Sequence, residues 1–218
     1  MIPRNGVFPA LLVLLAMAFC GSGCGPVVVA GARLSMPDTY AVKAEYEIGP
    51  RSIVVIPFRD ERHTYCESSD GTDLATAVVG ELISRKAATN VRSASNVQDL
   101  FPGQDLERVG WTQVGKKLGA QLVLVGDIQT FALRDPKTIG IQRGTCRFNY
   151  AVYDVEKNTI AYSCRGLEVY VPEYGAGVAD GDVDSEKLRA ALLSSTAMKV
   201  VQKFYDYKAK MGPPPRRY

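Results

Sequence analysis

Ser52-Ile53-Val54-Val55-Ile56-Pro57-Phe58 decides the architecture. Four β-branched residues, Ile53 to Ile56, run without a polar break. A strand with one wet face alternates apolar and polar residues, whereas a strand covered on both faces has no need to. Pro57 lacks an N–H and marks the point where the chain leaves the ladder. The stretch reads as the first central strand of a sheet with helices packed on it.

Working outward, residues 59–71 are polar and without periodicity, a loop. Thr72 or Asp73 then caps a helix whose apolar stripe is Leu74, Ala77, Val78, Leu82 and Ile83, with Lys86 in its last turn, where a cation suits the helix dipole. A short strand over Asn90–Ser93 follows, then a helical turn at Val97–Phe101. Trp111–Gly119 reads as a further helix with Gly119 as its C-cap, and Gln121–Phe131 as a second apolar strand. Strand, helix, strand, helix, strand is the pattern of crossover units over a parallel sheet. Beyond it Cys146, Phe148, Tyr150 and Val152 alternate with Arg147, Asn149, Ala151 and Tyr153, a period of two. The turn Asp154–Thr159, with Asn158 suited to a left-handed position, returns the chain as Ile160–Val171. Residues 172–184, rich in Gly and Asp, connect to a long helix capped by Asp184 or Ser185, with apolar stripe Leu188, Leu192, Leu193, Val200, Val201 and Phe204. The fold class expected is α/β: a three-layer domain with a mixed sheet, parallel βαβ units first, then an antiparallel hairpin and a C-terminal helix.

The chain has 218 residues, 46% hydrophobic and 22% charged, with net charge +3, enough for one domain with a sizeable core. A nucleic-acid-binding surface is more basic and more clustered, so no nucleic-acid partner is expected. A single histidine, His63, argues against His-based catalysis and multi-His metal sites.

The first residues are a different material. Arg4 precedes an apolar run from Phe8 to Phe19, too short for a permanent bilayer span and laid out like an export signal. Gly21-Ser22-Gly23-Cys24 follows and resembles the lipobox of bacterial lipoproteins, although Gly21 stands where such boxes usually carry Leu. The resemblance implies acylation of Cys24, with palmitate among its chains, and Cys20 is the rival. The expected division is therefore residues 1–24 signal peptide, 25–50 tether, 51–207 α/β domain and 208–218 Pro/Arg-rich tail. Export permits disulfides, and Cys66, Cys146 and Cys164 allow at most one bridge among them.

"SIVVIPFRD", "GTDLATAVVGELISR", "VGKKLGAQLVLVGDI" and the hairpin "YDVEKNTIAY" together resemble a bacterial envelope family. Its members include the TolB N-terminal domain, the curli secretion lipoprotein CsgG and the lipoprotein LpoB. The Leu118–Gly126 block carries most of the likeness, with Gly126 expected to admit another backbone or a bulge. The resemblance implies a non-enzymatic body, lipid-anchored at the outer membrane and facing the periplasm, that binds another envelope protein or itself. A pore like that of the curli channel is not expected, because residues 131–145 leave no room for two spanning strands.

Other sites stay open at this point. Asp60, Glu61, His63, Cys66, Glu67 and Asp70 concentrate ligand chemistry after a strand end, the basis of an alternative reading as a small metal-dependent or thiol enzyme (Cys66 with His63). No C-x-x-C, H-E-x-x-H or glycine-rich phosphate loop accompanies them, so no catalytic residue, metal or cofactor is assigned. Tyr162, Tyr170 and Tyr174 are candidates for a contact surface, as tyrosine is favoured at interfaces. A self-assembling ring of an envelope secretion system is a further alternative.

Overall fold

The computed structural model describes residues 39–60, 69–93, 97–102, 104–134, 141–173, 177–179 and 184–210. Two compact units are distinguished. In the small one, β1 (Thr39–Val42) pairs with β9 (Tyr207–Lys210) in a two-stranded sheet that the sequence reading did not anticipate. The larger unit, Val42–Tyr207, carries everything described below.

Its centre is β2 (Gly49–Val55). Ile53, Val54, Val55 and Ile56 are all buried to 1% exposure or less, but they divide between two cores. Ile53 and Val55 join the larger cluster, Val54 and Ile56 the smaller one on the opposite face. That division is the physical reason for the unbroken apolar run. Each such side chain contributes roughly 1.5–3 kcal/mol on leaving water. Pro57 interrupts the strand as expected, and the chain rejoins the sheet as β3 (Arg59–Asp60), which the sequence reading treated as loop.

Helix α1 (Asp70–Ser84) follows and buries Leu74, Ala75, Val78 and Leu82. Neither Thr72 nor Asp73 caps it: the N-cap is Ser69, which acts through its backbone, Asp73 N donating to Ser69 O at 2.8 Å. Ile83, expected on the stripe, is 57% exposed, because one residue beyond Leu82 rotates the side chain about 100° away from the core. Lys86 lies past the helix end, in a left-handed conformation (φ 54°) that turns the chain toward β4 (Ala88–Ser93). The turn is closed by Ala87 N donating to Leu82 O at 3.0 Å.

Two short helices, α2 (Val97–Leu100) and α3 (Leu106–Val109), precede α4 (Trp111–Leu118). Gly119 ends α4 at φ 64°, a conformation that costs a Cβ-bearing residue, and so fills the C-cap role read from the sequence. Next come β5 (Leu122–Arg134), β6 (Ile141–Asp154), β7 (Thr159–Val171), the two-residue β8 (Val178–Ala179) and α5 (Ser185–Val201). Asp184 caps α5, its carboxylate accepting from Glu186 N at 2.9 Å.

Strand order is β4-β2-β5-β6-β7, with β3 against β5 and β8 against β6. β4, β2 and β5 are parallel; β6 and β7 run antiparallel. The first crossover moves from β2 outward to β4 and the second back across β2 to β5. Connections of one hand that run in opposite directions along a sheet must lie on opposite faces. Accordingly α1, joined by α5, covers one face, and α2 and α4 cover the other. The second cover stops early. Its apolar side packs on β2 and β5 and, toward the hairpin, on Tyr153 and Val155.

Candidate interaction cleft

Where the second cover stops, a cleft of about 630 Å³ opens over β5, β6 and β7. Its floor is legible row by row from the strand register. Nearest the hairpin turn, Tyr153 and Ile160 stand side by side, while Val123, the neighbour of Tyr153 on β5, is fully buried in the smaller core. The middle row is Val125, Ala151 and Ser163, small enough to form a trough. The far row is polar: Asp127 opposes Asn149, with Arg165 beside them. The Asn149 side-chain oxygen accepts from Gly166 N at 2.7 Å, which fixes the amide plane at a residue whose own φ is 67°.

The wall is built by α3 and the start of α4: Gln104, Asp105, Leu106, Glu107 and Trp111. Asp105 caps α3 by accepting from Glu107 N at 3.0 Å. Arg59 on β3 ties wall to floor, donating to Asp127 Oδ1 and to Glu107 Oε2, each at 2.8 Å. At the other end, the Thr112 hydroxyl donates to Asn158 Oδ1 at 2.6 Å and holds the head of α4 on the hairpin turn. Asn158 has φ 53°, the left-handed position expected of it.

Beside the cleft lies the outer edge of β7. Thirteen residues long, it pairs only with β6 among the described residues. Tyr170 sits on this strand, with the Arg143 guanidinium 4.5 Å from its ring centre and its hydroxyl donating to Glu168 at 2.9 Å. Glu168 raises the Tyr170 phenol above its ordinary pKa. Arg147 pairs across to Glu168 at 3.6 Å.

Tyr162 is elsewhere. Its ring turns to the opposite face and packs against Tyr46, Tyr150 and Phe204 at 5.8 to 6.1 Å between centres. Its hydroxyl donates to Glu45 Oε2 at 2.6 Å, and burial first, then Glu45, pushes its pKa up. Its ring and hydroxyl are thus engaged with Tyr46, Phe204 and Glu45, and the side chain is half-buried. Alternation alone would put Tyr162 and Tyr170, eight residues apart, on one face. The register shift near Gly166 swaps the faces, so Tyr162 and Cys164 share the core side with Leu167, Val169 and Val171, and Tyr170 stands on the other.

Cys146 opposes Val169, and Cys164 opposes Tyr150. Four residues of strand, about 14 Å, separate the two cysteines, twice the reach of a disulfide of roughly 7 Å between Cα atoms. They do not bridge each other. Asp60 lies in β3 next to Ile128, while Asp70 opens α1 and accepts from Arg189, so the structure draws them into the framework rather than one ligand set. Among the described residues no group of three His, Cys, Asp or Glu side chains is placed to hold a metal. Cys20, Cys24, Glu61, His63, Cys66, Glu67 and Tyr174 lie outside the described residues. No helix among the described residues is long and apolar enough to cross a membrane.

Sequence reasoning missed the cleft because α3 gave no periodic signal over four residues. Asp105 two residues before Glu107 was the available clue to a cap, and the lone tryptophan at the head of α4 the clue to a wall.

No model of a known protein family matches the sequence, and no curated protein matches it. Solved structures are similar to it in chain course. The PelC dodecamer from Paraburkholderia phytofirmans aligns at 12% identity and TM-score 0.45, over 77% of this chain and 96% of that one. Lipoprotein GNA1162 from Neisseria meningitidis aligns at 15% identity and TM-score 0.47, over 70% and 99%. E. coli LpoB aligns at 14% identity and TM-score 0.39, over 59% of each. Likenesses of this size carry no functional meaning for the present chain.

Proposed function

We propose that the chain is an exported lipoprotein, anchored through an acylated Cys24 at the outer membrane and facing the periplasm, whose α/β body docks another envelope protein or a second copy of itself. It performs no chemistry in this reading. The lipid raises its local concentration at the membrane, and the partner adds to the free side of β7. One observation carries the docking half: a thirteen-residue strand edge open to pairing among the described residues, running beside a floor that the second cover leaves bare. The edge is guarded. Arg165, Glu168 and the left-handed Gly166 break its regularity, which disfavours indiscriminate strand pairing and favours a partner matched to those features. The anchoring half is supported by the signal layout and Gly21-Ser22-Gly23-Cys24.

The test places a photo-cross-linking amino acid at Glu168, on the β7 edge, and separately at Ile83, exposed on α1. In intact cells, discrete cross-linked species are expected from position 168 and not from 83; the reverse would sink the docking assignment. Palmitate labelling of the wild type, lost in Cys24→Ser, is expected for the anchor. An unlabelled, water-soluble wild type would overturn it.

A further inference from the structure

We infer that the cleft over β5, β6 and β7 is a binding site for a short glycan, seated on Trp111 and Tyr153 and oriented by Asn149, Arg165 and Gln104. This goes beyond protein docking and stands without it. The envelope assignment bears only on which glycan is met.

The cleft volume, about 630 Å³, falls within the range of small-molecule sites. Its two ends differ in the way a pyranose ring differs between its faces. Near the hairpin, Trp111, Tyr153 and Ile160 offer apolar surface, Ile160 being 55% exposed. An aromatic face carries negative potential and attracts the weakly positive C–H groups of a sugar ring. At the other end stand flat polar groups: the Asn149 and Gln104 amides, the Arg165 guanidinium and the Asp127 carboxylate. Such groups present paired donors and acceptors that suit neighbouring hydroxyls. Asn149 is already held by Gly166 N, so little freedom is lost on binding. Charge in the cleft is largely offset: Arg59 and Arg165 stand against Asp105, Glu107 and Asp127, Arg59 being bonded to the last two, which leaves one net negative charge. That favours a hydroxyl-rich ligand over a strongly charged one.

A peptide suits the trough less well. The backbone of the floor is committed to the ladders β5–β6 and β6–β7, so the cleft offers side chains and no free strand edge to an incoming main chain.

Trp111 is the only tryptophan in the chain, so its fluorescence reports the cleft directly. The full-length protein in detergent would be titrated with chitotetraose, with cellotetraose and with an oligoproline peptide. A saturable change with either sugar supports the site. Chitotetraose alone points to an amino-sugar wall polymer, cellotetraose alone to a plain glucan. No saturation with either sugar, or saturation with the peptide alone, overturns the inference. Tyr153→Ala is expected to weaken sugar binding about tenfold, the scale of one lost ring contact. Should that variant fold poorly, Ser163→Phe decides. Position 163 is exposed, so the added ring fills the trough without touching the core. Its far-UV spectrum and melting temperature are expected to be those of the wild type, with sugar binding lost; unchanged binding in Ser163→Phe overturns the assignment. Cross-linking from position 168 is a separate readout, so either proposal can fail alone.

Discussion

A Cβ at position 126 would lie 2.3 Å from the Phe148 ring and 2.8 Å from Asn149 O. Gly126 thus admits both the Phe148 ring and the backbone carbonyl of the neighbouring strand, the close backbone approach that its place in the Leu118–Gly126 block suggested. Gly126→Ala is expected to cost about 1–3 kcal/mol, the scale of overpacking in a dense core, measured by urea denaturation. A second residue-scale expectation concerns pH. Lys203 first, then the Tyr162 hydroxyl, holds the Glu45 carboxyl below its ordinary value of 4.5. A depressed carboxyl adds stability above its unfolded value, and that addition fades as pH falls through the folded one. Stability of the wild type should therefore decline below about pH 4.3 more steeply than that of Glu45→Gln. Parallel declines in the two proteins would show that the cluster is not coupled to folding.

At the scale of elements, the head of α1 is locked to α5 by one side chain. Arg189 donates to Asp70 Oδ1 from Nε at 3.0 Å and from Nη2 at 2.6 Å, and Nη2 also reaches Asp73 at 2.6 Å. Both carboxylates lie in the first turn of α1, where the helix dipole already favours them. Arg189→Met keeps the stem and removes the guanidinium. We expect a loss of about 1–3 kcal/mol, the cost of stripping a charged partner from part-buried acids. Hydrogen exchange should rise first in residues 70–76; protection unchanged there would show that packing alone holds the helix. The same scale explains the open cleft. α4 packs against β5 and β6, its head held on the hairpin turn by Thr112 and Asn158, and the second cover stops short of β7.

For the whole larger unit, one sheet separates two cores. Val54 belongs to the smaller and Leu192 to the larger, with no shared cluster. Leu192→Ala is expected to cost about 2–5 kcal/mol and Val54→Ala somewhat less. Combined, the two losses should add within roughly 0.5 kcal/mol in a single cooperative transition. Two separated transitions would show that the cores melt independently.

Much of this fold was legible before any coordinates. Ile53–Ile56 announced burial on both faces, Gly119 a left-handed helix end, Asn158 a left-handed turn, and the period of two through Cys146–Tyr153 a strand with one deeply buried side. Each is a local record: propensity, cap chemistry and periodicity report which way a side chain faces within its own element. What the sequence could not state is who lies beside whom. That β2 sits between β4 and β5, that Tyr162 turns inward while Tyr170 does not, and that the second cover leaves a trough beside Trp111 all follow from pairings between residues tens of positions apart. Such pairings are settled by many weak contacts summed over the packed chain, and no single stretch carries them.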